Sequence, residues 1–228
     1  GIPAGMNITE EYIEKDLLRR MQGHGRGGRM KIEKDHAEIF SGVRHAITLG
    51  SPISLLIKNF DWVNWEDRMA TGKPKKEHRK VTMPRPGHAD LAGVMKYGLD
   101  DIRNVLERSS ARETAMRVAI GAVCRKLLEE VGITVGSRVY QIHNIVDDTP
   151  VSNNMSLKEL NDTVDASPVR CFDKAAEKKM MDVIDEARNN GDSVGGSFEV
   201  IAKGLPYGLG TYINADGKLQ ARISQAMM

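Results

Sequence analysis

Apolar residues at Ile13, Leu17 and Met21 recur at helical spacing, which predicts a helix over 10–22. Thr9 is its expected N-cap, and Ile8 with Ile13 reads as a hydrophobic staple. Glu10 and Glu11 suit the positive end of the helix, Arg19 and Arg20 the negative end. From 37 to 60 the pattern changes to strands, broken at Gly42 and at Gly50-Ser51-Pro52, with "SLLIKNF" (54–60) a short apolar strand. Residues 66–83 have no period and carry Lys73, Lys75, Lys76, Arg79 and Lys80, the pattern of a mobile basic loop.

Two helices are expected next. One runs from Ala89 to about Leu106 and accommodates Gly93 and Gly98 at roughly 1 kcal/mol each relative to alanine. The other runs over 111–131, its narrow stripe of Ala115, Val118, Ala119, Ala122, Val123 and Leu127 implying close helix packing and Gly132 its stop. Residues 133–145 read as a strand, 156–164 and 173–190 as helices, the second between an Asp173 cap and Gly191. Residues 193–205 alternate as a strand. Strands and helices come in blocks without βαβ regularity, so the fold class is α+β.

Three segments place arginine beside glycine, histidine or serine. In "GHGRGGRM" (23–30), Gly23, Gly25 and Gly28 satisfy G-x-G-x-x-G, but a helix precedes where the dinucleotide fingerprint needs a strand. What remains is a glycine-rich loop with Arg26 and Arg29, preceded by Arg19 and Arg20. It is suited to phosphate or carboxylate, or is simply a surface turn with solvated arginines. In "PRPGHADL" (84–91), His88 stands just before a helix start, where the dipole favours neutral imidazole able to exchange a proton. Arg85 nearby is suited to the anion involved; the plainer reading is a packing or capping histidine. In "ERSSARET" (107–114), Ser110 and Glu113 form a capping box. The free N–H groups of that helix start sit among Arg108, Ser109 and Arg112, an anion site in outline or a plain cap with surface arginines.

Composition narrows the ligand. The net charge is only +2 and aromatics make up 5%, which argues against a nucleic-acid surface built on stacking. Cys124 and Cys171 lack zinc spacing, and no metal site is expected. With no run of about 18 apolar residues and no basic-then-apolar leader, a cytoplasmic protein away from membranes is expected. A small polyanion or phosphorylated cofactor accounts for all three arginine segments.

The stretches "RMQGHGRGGRM", "SGVRHAITLGSPI", "RPGHADLAGVMKYG", "RNVLERSSARETAMRVAIGAV", "SPVRC" and "NNGDSVGGSFEV" resemble, in order and spacing, those of chorismate synthase. The resemblance implies a helical layer sandwiched between antiparallel β-sheets, a homotetramer, and a single domain over 1–228. It implies an enzyme of aromatic amino acid biosynthesis, converting 5-enolpyruvylshikimate 3-phosphate to chorismate by 1,4-anti elimination of phosphate. Reduced FMN is the implied cofactor, with NADPH as reductant source.

By the same resemblance, His88 is the catalytic histidine that supplies a proton to reduced flavin, and Arg108, Ser109 and Ser110 bind FMN. Arg20 and Arg26 bind NADP. Arg26, Arg29 and Arg85 bind substrate anions, and the reading of the helix start adds Arg112. The family's GESHG-type segment, with its other catalytic histidine, and its C-terminal region have no counterpart here, so a record incomplete at both ends is expected. Two alternatives remain at this level: an NADPH-dependent flavin reductase, and an RNA-binding module using the basic loop.

Overall fold

The computed structural model describes residues 2–26, 35–107 and 111–227, with side chains from 113 onward in the last stretch. The chain divides into two compact units, Gly1–Leu127 and Leu128–Met228.

In the first unit, helix α1 (Glu10–Met21) starts where its cap dictates: Tyr12 N donates to Thr9 Oγ1 at 3.3 Å. Ile8, Ile13 and Leu17 are fully buried, as the staple and periodicity predict. Strands β1 (Ala37–Ser41) and β4 (Ser54–Ile57) pair antiparallel, with a bulge between Ile39 and Ser41. Between them β2 (Val43–Arg44) and β3 (Ile47–Thr48) form a hairpin whose turn residues His45 and Ala46 have φ of 51° and 63°. Both expected breaks are present. At Gly42, φ is 82° and an added Cβ would lie 2.5 Å from Pro52 O, so the chain needs glycine there. Thr48 ties the hairpin to the N-terminal segment, donating to Pro3 O at 2.6 Å and accepting from Met6 N at 3.0 Å. A short 3-10 helix (Phe60–Asn64) follows.

The single helix expected from Ala89 to about Leu106 is in fact two, α2 (Asp90–Tyr97) and α3 (Arg103–Leu106). Gly98 adopts φ 63°, the left-handed cap that ends a helix, and donates its N–H back to Val94 O. Gly93 lets the two segments pack closely, since an added Cβ would sit 2.7 Å from Val105 Cγ1. Helix α4 (Ala111–Glu130) follows, and Gly132 stands just beyond it with φ 79°. Its stripe is buried at Ala115, Ala119, Ala122 and Val123, in one cluster with Ile8, Ile13, Leu17, Ala37 and Ile57. Arg125 joins α4 to α1, donating Nε to Tyr12 Oη at 3.2 Å and pairing with Asp16 at 2.8 Å.

In the second unit, the strand expected over 133–145 is a hairpin, β5 (Thr134–Ile142) and β6 (Ile145–Val146), because His143 takes a φ of 54° and turns the chain. Strand β7 (Gly196–Lys203) pairs antiparallel with β5, giving the order β6-β5-β7. Helix α5 (Leu157–Asp165), capped by Ser156, buries Leu157, Leu160 and Val164, with Ile201 of β7 packed against them. Helix α6 (Lys174–Asn189) is capped by Asp173, which accepts from Ala175 N and Ala176 N, and buries Ala176 and Met180 with Val169 and Cys171. Helix α7 (Leu219–Met227) is the last element. Helices with antiparallel strands make the fold α+β, as the block pattern predicts.

Leu17→Ala removes a side chain with 0% exposure and is expected to lower unfolding free energy by about 2–5 kcal/mol. Leu18→Ala, at 47% exposure on the same helix, should shift it by no more than about 0.5 kcal/mol. Urea unfolding of both variants checks the direction in which α1 faces.

Candidate active site

The segment Pro84–Asp90 forms a closed turn at the start of α2. Pro86 at the second position and Gly87 at the third, with φ 71°, are the residues a type II turn requires, and His88 N reaches Arg85 O at 3.4 Å. The chain then enters α2 at Asp90, whose side chain is completely buried. Three bonds from Arg85 converge on that carboxylate. Its backbone N–H and Nε donate to Asp90 Oδ2 at 3.0 and 2.9 Å, and Nη2 donates to Oδ1 at 3.0 Å. Above all, the Arg85 side-chain bonds hold the Asp90 carboxyl down at about 2, with the Arg85 backbone N–H adding to the effect.

His88 is presented at the exposed side of this turn, with Nδ1 3.0 Å from Pro86 O. A carbonyl oxygen can only accept, so Nδ1 carries the hydrogen and Nε2 is the nitrogen left to face a ligand. Neutral imidazole then offers an acceptor at Nε2, and imidazolium a donor. The sequence marks His88 as a proton-exchanging group, and this geometry suits a group that exchanges one proton at a defined atom. Arg85 was read as an anion ligand; one edge of its guanidinium is engaged by Asp90, while the side chain keeps 42% exposure for an external anion.

The approach to the turn is anchored at its other end. Val81 N donates to Asp101 Oδ1 at 3.1 Å, Ile102 N donates to Val81 O at 2.9 Å, and Lys80 pairs with Asp100. The basic loop at 66–83 contains no helix or strand. Asp67 gathers it, accepting from Lys75 N and bonding His78 Nε2, both at 2.6 Å. Trp65 precedes the loop, donating Nε1 to Asp61 at 2.6 Å, with the Arg103 guanidinium 4.7 Å from its ring centre.

Arg20 forms a second assembly. Its Nη1 donates to Asp35 Oδ2 at 2.6 Å and its Nη2 to Thr114 Oγ1 at 3.4 Å, with the arginine side chain 11% and the aspartate 1% exposed. The end of α1 is thereby tied to the first turn of α4. Arg26 is exposed, with Nε donating to Gln22 O at 3.0 Å. Arg29, Arg108, Ser109 and Ser110 lie outside the described residues, and of Arg112 only the helical backbone is described. Glu113, read as half of a capping box with Ser110, holds Arg117 Nε at 2.6 Å.

The described site residues thus fall in three places: His88 with Arg85 on the turn, Arg20 between the end of α1 and the first turn of α4, and Arg26 just beyond α1. Asp90, Asp35 and Thr114 are the participants the sequence reading missed. Asp90 had a visible signal, an acid in the first turn of a helix, but that signal reads equally well as a complement to the helix dipole. A groove of about 430 Å3 in the second unit, lined by Arg138, Val151, Glu199, Val200 and Ile201, contains none of the sequence-predicted site residues. Among the described residues no group of three histidine, cysteine or acidic side chains could hold a metal ion, and no helix is long and apolar enough to cross a membrane.

Because the Asp90 pKa is lower folded than unfolded, the Arg85–Asp90 clasp contributes its full stability above the ordinary value near 3.8 and loses it as pH falls through about 2. Carbon-detected NMR titration of the Asp90 carboxyl should therefore show a midpoint near 2. Arg85→Gln should return that midpoint toward the ordinary range.

Comparison with known proteins closes the question of kinship. A family model described as chorismate synthase matches residues 1–228, spanning both units. "Chorismate synthase 2" of Bacillus cereus (strain ZK / E33L) is 52% identical over 233 residues, covering 100% of this chain and 59% of the relative. "Chorismate synthase" of Geobacillus sp. (strain WCH70) is 52% identical over 231 residues with the same coverage. A solved structure titled "Crystal Structure of Chorismate Synthase" superposes with a TM-score of 0.78 at 39% identity, over 100% of this chain and 59% of the other. The chain spans about three fifths of the length of these relatives, and with a match along all of its own residues it belongs to the chorismate synthase family.

Proposed function

We propose that this chain carries part of the active site of an enzyme that converts 5-enolpyruvylshikimate 3-phosphate to chorismate and phosphate, with reduced FMN, in aromatic amino acid biosynthesis. The observation that carries the reading is the Pro86-Gly87 turn, which presents His88 with Nδ1 committed to Pro86 O and Nε2 open to a ligand. The family match supports the reaction class, and the arginine-rich segments supply the matching electrostatics.

The reaction breaks an allylic C–O bond to phosphate and removes a hydrogen from the ring, and negative charge grows on the departing phosphate. Fixed guanidinium groups stabilise that charge without reorganising as it develops. Arg26 is exposed, with its Nε on Gln22 O, and is suited to an anion; Arg29 and Arg112 are assigned the same task. Arg85 contributes through the guanidinium edge that Asp90 leaves open. Arg108, Ser109 and Ser110 are assigned to FMN. Arginine, two hydroxyls and the start of α4 are donors of the right chemistry for a phosphorylated, anionic group. Reduced FMN, when bound, supplies electron density transiently and assists loss of the ring hydrogen. The chain's own part is to orient the ligands and hold a proton at His88 Nε2.

Arg20 and Arg26 are assigned to NADP, NADPH being the source of reducing equivalents. Arg20 reaches that role already bonded to Asp35 and Thr114, so it acts as a positioned charge at the start of α4. A homotetramer in the cytoplasm completes the proposal.

In the assembled enzyme, His88→Ala should fold normally and lower turnover by roughly 10²–10⁴; wild-type turnover would remove His88 from the mechanism. The assay is anaerobic chorismate formation with catalytic reduced flavin. A flavin reductase would instead consume NADPH in proportion to flavin reduced, and an RNA-binding module would show steeply salt-dependent affinity for nucleic acid. Arg26→Ala should weaken substrate by about tenfold or more, from one lost charge-assisted contact to phosphate. FMN affinity should change less, and separate titrations of the two ligands decide it.

A further inference from the structure

Among the described residues Asp90 makes no hydrogen bond to His88, yet it holds the His88 turn closed. Its carboxylate is completely buried, and both oxygens are taken by Arg85, Oδ2 by the backbone N–H and Nε and Oδ1 by Nη2. Residue 85 is therefore pinned by main chain and side chain to the first residue of α2. Inside this clasp lie Pro86, whose ring fixes φ, Gly87 at φ 71°, His88 and Ala89. The turn's own closing bond, His88 N to Arg85 O, is long at 3.4 Å, so it is weak beside the three bonds to Asp90. What the clasp aims is the Pro86 carbonyl, and that carbonyl takes the hydrogen of His88 Nδ1 at 3.0 Å.

We propose that Asp90 is the positioning residue for His88, closing the Arg85–Asp90 turn so that Pro86 O keeps the hydrogen on Nδ1 and leaves Nε2 as the proton-exchanging nitrogen. The chain of cause is short. The clasp orients the carbonyl, the carbonyl selects the tautomer, and the tautomer decides which nitrogen meets the ligand. An unconstrained neutral histidine favours the opposite tautomer, with hydrogen on Nε2, so a relaxed turn would move the proton-exchanging site to Nδ1, on the side of the turn. The catalytic part of this inference rests on the proposed role of His88; the tautomer part stands without it.

The experiment uses the assembled enzyme with 15N-labelled histidine, observed at a pH where His88 is neutral. In the wild type the His88 signals should show hydrogen on Nδ1 and a lone pair on Nε2. Asp90→Asn keeps the shape but turns an amide N–H₂ toward the guanidinium, and should move the signals toward the Nε2–H form. Arg85→Lys, which removes the fork and leaves the aspartate, should do the same; it stands in if Asp90→Asn does not fold, as circular dichroism will show. Turnover should drop by about tenfold or more in Asp90→Asn, mainly in kcat. His88→Ala/Asp90→Asn should have the same kcat as His88→Ala, any further loss falling on KM through the substrate-anion role proposed for Arg85. Unchanged tautomer signals in both clasp variants overturn the proposal, whatever the turnover. A double variant whose kcat falls well below that of His88→Ala also overturns it. Wild-type turnover in His88→Ala, with the tautomer shift present, instead overturns the catalytic role of His88 and leaves the positioning role supported.

Discussion

A carboxylate taken out of water must be met by a cation and by enough donors to replace its hydration, and this requirement organises the first unit. Asp35 and Asp90 are buried and met by Arg20 and Arg85, and the part-buried Asp16 is met by Arg125. Desolvating such a group is unfavourable, and only close, well-aligned contacts offset it. Each pair therefore locks two segments in one geometry. Asp16 and Arg125 join α1 to α4, Arg20 and Asp35 join the end of α1 to the segment before β1, and Arg85 with Asp90 closes the turn carrying His88. The alanine stripe of α4 works alongside these locks, its short side chains entering the cluster that holds Ile13 and Leu17.

This arrangement changes what the arginines near the site can do. An arginine held by a buried aspartate does not swing freely to meet an anion; it is a placed charge with one edge engaged. Arg85 retains exposed guanidinium surface and Arg20 is nearly enclosed, so they differ in how much they can offer a ligand directly. Arg26, beyond the end of α1, is the least constrained of the three. For a reaction that develops charge on a leaving phosphate, placed charges are an advantage, since no reorganisation is needed as the charge appears.

Much of the local structure was legible from single residues. Thr9, Ser156 and Asp173 each cap a helix because a short side-chain acceptor meets free N–H groups one turn on, which depends only on near neighbours. Gly42 breaks the strands because Pro52 O crowds the position, and the Pro86-Gly87 pair makes its turn for conformational reasons internal to those residues. The two misread boundaries are of another kind. Gly98 lies in a run whose apolar period continues past it, and "QIHNI" keeps the composition of a strand through His143. In both places one positive backbone φ ended the element.

By itself the sequence determined the α+β class, the caps, most helices and strands, the kinship with chorismate synthases, and the identity of His88 as a candidate proton carrier. All of these follow from short-range spacing or from strings specific to a family. Only the tertiary structure decided that Arg85 and Arg20 are partnered within the chain, that Asp90 is buried, and that Pro86 O selects which nitrogen of His88 stays open. The physical reason is that an arginine reads as a free charge in any sequence. Its partner is set by distances across a turn or between helices, and a buried carboxylate has no short-range signature distinguishing it from one in water.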